Sequence, residues 1–326
     1  MTGASGFLGG NLVRFLVDRG DDVRVLLDEG QSSPALSGLV LERVEGSVSR
    51  NTGLREALDG VADVYHCAME MTMWRRMEKA VQQQCVVGTR NLCHALSQKR
   101  IARLVFASPS EVLGAGTRDA PATEDATTQG SRLRLPGVML RLQAETIVTE
   151  YAAAVKPLGG EVVIVNPTHM LGPWDVSPTF GKLLIEIARR RPVGCSTGGL
   201  NVVDVRDVCA GMFGAMHKDA PRRRYILGGH NVSDKELHSK IAAVIGKRRA
   251  RVTWPSPILT AVGAVGELWG DVTGREPATT KMVSKYIGKQ RYFDSKLAHD
   301  ELKMPCTPLQ TTIQDAMDWF RVHERI

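Results

Sequence analysis

The run Thr2-Gly3-Ala4-Ser5-Gly6-Phe7-Leu8-Gly9 constrains this 326-residue chain more than any other feature. It is a GxxGxxG loop opening directly into an amphipathic helix over Phe7 to Val17. Glycines let a backbone turn tightly and approach a pyrophosphate, and a helix N-terminus offers unpaired N–H groups and a positive dipole end. A glycine triplet alone is weak evidence. Here a strand, Asp22 to Leu27, follows the helix, and Asp28 ends it nineteen residues after Gly9. An acidic side chain at that point accepts hydrogen bonds from ribose hydroxyls and repels a 2′-phosphate, which favours NAD over NADP. The loop therefore nominates Gly3, Ser5, Gly6, Phe7, Leu8, Gly9 and Asp28 as cofactor-binding residues.

The segments that follow alternate between strand and helix. Ala62 to His66, Arg103 to Ala107 and Gly160 to Val165 are short apolar strands, and a long helix runs from about Leu140 to Val155. Strands of this kind separated by helices imply an α/β fold with a doubly wound parallel sheet covered on both faces. The expected division is a Rossmann domain over residues 1–165 and a smaller substrate-binding region over 166–326, with about 202–216 returning to the Rossmann sheet. Only Met1 stands before the loop, where such a fold places a central strand. Without that strand its neighbours would lie about 9.5 Å apart with unpaired backbone groups between them, so a native start about one strand upstream is expected.

Composition removes several classes. No apolar stretch is long enough to span a bilayer; the best candidate, Ile258 to Trp269, is short and carries Glu267, and reads as a buried or partner-facing helix. The six cysteines form no CxxC pair or regular framework and read as reduced thiols of a cytoplasmic protein. The net charge of +7 gathers at Arg189-Arg190-Arg191, Arg222-Arg223-Arg224 and Lys247-Arg248-Arg249. These runs have no interleaved aromatics and no accompanying nucleic-acid motif, so they read as solvated faces or a site for a phosphorylated ligand. Met69, Met71, Met73 and Met77 read as a pliable apolar wall beside the cofactor, and no metal site is expected.

Together with the glycine loop, several later motifs resemble the extended short-chain dehydrogenases of the NAD-dependent epimerase/dehydratase group. They are His66-Cys67-Ala68, Val87-Gly88-Thr89-Arg90-Asn91, Asn166-Pro167-Thr168 with Gly172-Pro173, and Leu200 to Val208. Arg224 to Gly229 and Thr273-Gly274-Arg275-Glu276-Pro277 are most similar to the hopanoid-associated sugar epimerase branch, near the dihydroflavonol reductases. The resemblance implies a bound nicotinamide cofactor, a sugar-nucleotide-like or ketone/alcohol substrate and, commonly, a homodimer. It also places His66, Ala68, Asn166 and Thr168 beside the cofactor and Arg141 near its ribose.

Members of this family share an Asn before VxGT, a Ser or Thr after the fifth strand, and a Tyr-x-x-x-Lys on the next helix. The tyrosine moves a proton at the substrate oxygen, and the lysine lowers its pKa. The match sets Cys85 at the Asn position, Pro109 at the Ser position, Gly137 at the Tyr position and Arg141 at the Lys position. Glycine and proline have no side-chain proton to give, and arginine stays charged. Ser108, Ser110, Glu111 and His169 are the substitutes at hand. Three readings follow: an NAD-dependent oxidoreductase or epimerase working through substituted residues, a non-catalytic cofactor-binding regulator or partner subunit, and a non-redox cyclase or isomerase.

Overall fold

The computed structural model describes all residues except 32, 73, 100, 127–134, 190–194, 247–252, 278, 324 and 326. The glycine loop leads into α1 (Phe7–Asp18), then β1 (Arg24–Leu27), β2 (Glu42–Glu45), α2 (Leu54–Ala57) and β3 (Asp63–His66). A continuous helical run follows, made of α3 (Glu78–Val81), a π-helical turn over Gln82–Val87, and α4 (Gly88–Ser97). Then come β4 (Arg103–Ala107), α5 (Pro136–Val155) and β5 (Glu161–Pro167). α5 starts earlier than the apolar pattern indicates because a proline suits the first helical position, where its missing N–H is no loss.

Beyond β5 lie β6 (His169–Leu171), α6 (Lys182–Ala188), β7 (Gly199–Asp204), α7 (Val205–His217) and β8 (Arg224–Leu227). The chain ends through β9 (His230–Ser233), α8 (Asp234–Ile245), α9 (Ser256–Thr273), α10 (Lys281–Ile287), β10 (Gln290–Arg291), α11 (Lys296–Leu302) and α12 (Leu309–Val322).

The main sheet is parallel. β1 pairs with β2, and β3, β4, β5 and β8 pair in that order. Thr2 bridges Leu26 on one side and His66 on the other, which joins the two groups into one doubly wound sheet. Side chains alternate across it as a strand period of two requires. Val105, Val163 and Val165 face Leu12 and Leu16 of α1 and Val208 and Met212 of α7. Phe106 and Ile164 face Ala144 and Val148 of α5, and Leu104 faces Leu92 and Leu96 of α4.

The central strand is present only as Met1 and Thr2. Leu26 N–H donates to Met1 O at 2.9 Å, Thr2 N–H to Tyr65 O at 3.1 Å and Cys67 N–H to Thr2 O at 3.1 Å. The Met1 ammonium donates to Arg24 O at 2.6 Å, and burial depresses its pKa to about 6.

The smaller region is built on β7, with β6 and β10 parallel along one side and β9 antiparallel on the other. The segment expected to return to the main sheet is split. Val202–Asp204 belongs to this second sheet, α7 packs on the Rossmann core, and β8 supplies the returning strand. Among the described residues, no helix is long and apolar enough to cross a membrane, no two cysteines are joined in a disulfide, and no cluster of His, Cys, Asp and Glu could hold a metal ion.

Candidate functional site

The glycine loop closes over the strand ends as its sequence dictates. Gly3 adopts φ +73°, and a Cβ there would stand 2.5 Å from Ala68 N. A Cβ on Gly9 would collide with the Gly3 carbonyl oxygen. Gly6 is different: its Cβ position meets only Gly3 O, at 3.4 Å, so the backbone is open on the side where α1 begins. The N–H groups of that first helical turn have no partner within the helix. Beside them lies a cavity of about 440 Å³. Gly3, Ser5, Gly6, Asp28 and Ala68 line it, as do Thr2, Leu26, Gln31, Cys67, Met69 and Glu70. Gly46, Ser47, Val48 and Ser49 close one wall, and Ala80, Gln83 and Gln84 another.

Asp28 is not alone at the mouth. Arg50 Nη2 donates to its Oδ1 at 2.8 Å, and both side chains are about half exposed, at 60% for Arg50 and 46% for Asp28. A pair so solvated contributes at most about 1 kcal/mol, and a ribose competes with it readily. His66 does not reach the cavity. It is wholly buried beneath the loop, 2.6 Å from Thr2 Oγ1, and stacked on Phe106. Burial depresses its pKa to about 3, so it supports the loop as a neutral ring. Phe7, Leu8 and Gly9 likewise shape the start of α1 and are not lining residues.

At the far end of the cleft three of the four replaced positions, Cys85, Gly137 and Arg141, converge on the segment after β3. Arg141 is 0% exposed. Its Nη2 donates to Glu70 O at 2.7 Å and Thr72 O at 3.2 Å, and its Nε donates to Glu70 O at 3.2 Å. Cys85, in the π-helical turn, donates to the same Glu70 carbonyl at 3.8 Å. Gly137 makes room for this arrangement, since a Cβ there would sit 3.1 Å from Thr72 O. Pro109 caps the short turn Ser110–Val112, and Ser108 and Ser110 beside it are buried. Arg141 is therefore not at the cavity wall but behind it, as a clamp on the 70–72 backbone.

The model of the NAD dependent epimerase/dehydratase family matches residues 1–228. The chain belongs to that family. It is 30% identical over 328 residues to a putative dihydroflavonol 4-reductase of Synechocystis, covering 99% of this chain and 94% of that one. Among solved structures, a nucleoside-diphosphate-sugar epimerase from Pseudomonas aeruginosa superposes with TM-score 0.80 at 22% identity, covering 100% and 97% of the two chains. The UDP-glucuronic acid 4-epimerase of Bacillus cereus, in complex with UDP-glucuronic acid and NAD, superposes at 0.77 with 18% identity over 99% and 98%. The fold is thus the Rossmann fold of extended short-chain dehydrogenases, and the glycine-loop cavity fits the adenosine diphosphate half of the nicotinamide cofactor on which the family depends.

Two further family positions are inward-facing in this epimerase/dehydratase relative. Asn166 Nδ2 donates to Ser108 O at 2.9 Å and to Glu145 Oε1 at 3.1 Å, while Arg224 Nη1 donates to Asn166 Oδ1 at 2.7 Å. Thr168 Oγ1 donates to Asn201 Oδ1 at 2.7 Å. Asn166 ties the main sheet to α5, Thr168 joins the main sheet to β7 of the second, and neither lines the cavity. The basic run at 222–224 is similarly engaged, by Glu301, Thr149 and Glu145 in turn. Arg190, Arg191 and the run at 247–249 lie outside the described residues, as does Met73.

Glu111 and His169 do come together. Glu111 Oε1 is 3.9 Å from His169 Nε2, and Arg291 Nη1 donates to that nitrogen at 3.1 Å. Burial first and Arg291 second depress the His169 pKa to about 3, so the approach to Glu111 is made by a neutral ring and is no ion pair. The guanidinium of Arg291 lies 4.8 Å from the ring centre of Tyr286, which packs on Leu135 and Val138, either side of position 137. Burial and the charge of Glu111 push the Tyr286 phenol up, while Arg291 and Arg141 act the other way. Sequence patterning gives no sign of Tyr286, because it reaches this place from α10, after the whole smaller region has folded back.

Proposed function

We propose that this chain holds NAD in preference to NADP, and that the tyrosine-dependent proton transfer implied by its family resemblance is closed to it. The observation that carries the second half is Arg141. Its buried guanidinium is committed to the Glu70 and Thr72 carbonyls, with Gly137 leaving the space in which a tyrosine would begin. A ligand oxygen arriving at this end would meet Glu111, His169 and Tyr286 instead, and the substrate class remains sugar-nucleotide-like or ketone/alcohol. The same clamp favours, as a second reading, a cofactor-holding protein without turnover of its own, acting as a regulator or partner subunit.

The cofactor preference rests on Asp28 at the cavity mouth, with Arg50 as its opponent. Asp28 accepts from ribose hydroxyls; Arg50, once released, offers a cation to a 2′-phosphate. Titration calorimetry with both cofactors tests this directly. The unaltered protein is expected to bind NAD about tenfold or more tightly than NADP, Asp28→Ala to narrow or invert that ratio, and Arg50→Ala to widen it. Equal affinity of the unaltered protein for the two cofactors would refute the preference.

A further inference from the structure

Two guanidinium groups, those of Arg141 and Arg291, are buried at the far end of the cleft, at 0% and 5% exposure. Among the described residues neither forms an ion pair with a carboxylate. Glu70 turns its side chain onto the N–H groups of Met71 and Thr72, and Glu111 approaches the neutral ring of His169 at 3.9 Å. Arg291 donates to that ring, which takes none of its charge. Each cation also keeps a buried donor without a partner, Nη1 of Arg141 and Nε of Arg291. A buried charge without a counter-charge is costly, and so is a buried donor without an acceptor. These groups call for an anion that the chain itself does not supply.

The two cations bracket one place. A Cβ on Gly137 would stand 3.7 Å from Arg141 Nη1. Tyr286 packs on Leu135 and Val138 to either side of that glycine, with the Arg291 guanidinium 4.8 Å from its ring centre. Ser108, 0% exposed, adds an Oγ without a partner next to Pro109. We propose that this place receives a carboxylate of the ligand, so that the substrate is an acid: a uronic-acid sugar nucleotide, or a keto or hydroxy carboxylate. The inference rests on the proposed reading that a ligand enters this end of the cleft, and it narrows the substrate class of that reading. The planar fork of a guanidinium matches the two oxygens of a carboxylate. A phosphate monoester would bring nearly two negative charges, and Glu111, at 12% side-chain exposure on the margin, opposes the second.

Titration calorimetry on the full chain loaded with NAD, above neutral pH, compares UDP-glucuronic acid with UDP-glucose and levulinate with its methyl ester. In at least one pair the acid is expected to bind about tenfold or more tightly than its neutral counterpart, and that pair identifies the source of the carboxylate. Arg291→Gln should abolish the difference. Glu111→Gln removes the opposing charge and should widen it by about threefold or more. Neither side chain lines the cofactor cavity, so NAD affinity should stay unchanged in both variants. The opposite sign expected of Glu111→Gln keeps the proposal open to refutation should Arg291→Gln fail to fold. No preference for the acid in either pair would overturn the proposal, as would a preference that survives Arg291→Gln or one that Glu111→Gln diminishes. NAD binding without any such preference would leave the cofactor reading standing, whereas failure to bind NAD would defeat both.

Discussion

At the adenosine end of the cleft Gly3, Ser5, Gly6 and Asp28 border open space, whereas at the far end Cys85 and Arg141 are turned onto the backbone of Glu70. Both ends stand over strand termini of one sheet, where an α/β fold places its ligands. The difference lies in what the side chains are committed to. The glycine loop keeps its shape through contacts a Cβ would destroy, and these leave its outer N–H groups for a ligand. At the other end Arg141 and Cys85 hold the 70–72 backbone, and on the proposed reading this clamp stands where proton-moving groups would be. The proposed function therefore treats cofactor binding and hydride chemistry as separable in this fold, because different elements would carry them.

The largest effect that would break this comparison concerns Arg141. Arg141→Met removes every donor to the Thr72 carbonyl from that side chain and two to Glu70, so stability should fall by about 2–3 kcal/mol. NAD affinity should change by less than about threefold, since the clamp lies outside the cavity wall. Urea denaturation and calorimetry on one preparation give both values. The reverse pattern, intact stability with NAD weakened tenfold, would mean that Arg141 holds the cofactor.

A smaller effect sharpens the comparison through pH. His66 under the glycine loop and His169 in the far cluster each ionise near 6.5 when unfolded and near 3 when folded, because burial disfavours the cation. The folded state binds fewer protons between those values. Their contribution is complete above pH 6.5 and lost as pH falls toward 3, by up to about 1.4 kcal/mol per pH unit for each ring. Asp175, raised by burial to about 7, works in the opposite sense, so the informative quantity is the change on substitution. His66→Gln and His169→Gln should each flatten the decline in the urea midpoint between pH 7 and 5, and an unchanged slope would remove that ring from the account.

Much of this was legible in the chain. The glycine loop, Asp28 and the apolar strands announce the fold because their chemistry is local: a turn that only glycine permits, and runs buried on both faces. β2 escapes notice because it is an edge strand in which only Val44 is buried, so Glu42-Arg43-Val44-Glu45 has no apolar run to show. With it the cavity wall at 46–49 is missed, and the Arg50 partner of Asp28. Asn166 and Thr168 occupy their family positions, yet their side chains point into buried hydrogen bonds, Asn166 to Ser108 and Glu145 and Thr168 to Asn201 of the second sheet, which no spacing reveals. Tyr286 and Arg291 meet Glu111 and His169 only through the second sheet, where β10 lies beside β7 next to β6.

Single-turnover absorbance in the reduced-nicotinamide band, with a panel of UDP-sugars, ketones and alcohols, tests the central claim most directly. Without a phenol at 137 or a hydroxyl at 109, transfer should be slower by about 100-fold or more than in a family member with the full set, measured side by side. Fast transfer by the unaltered protein would contradict the account, and its loss in Tyr286→Phe or Glu111→Gln would then show which group had taken the tyrosine's place.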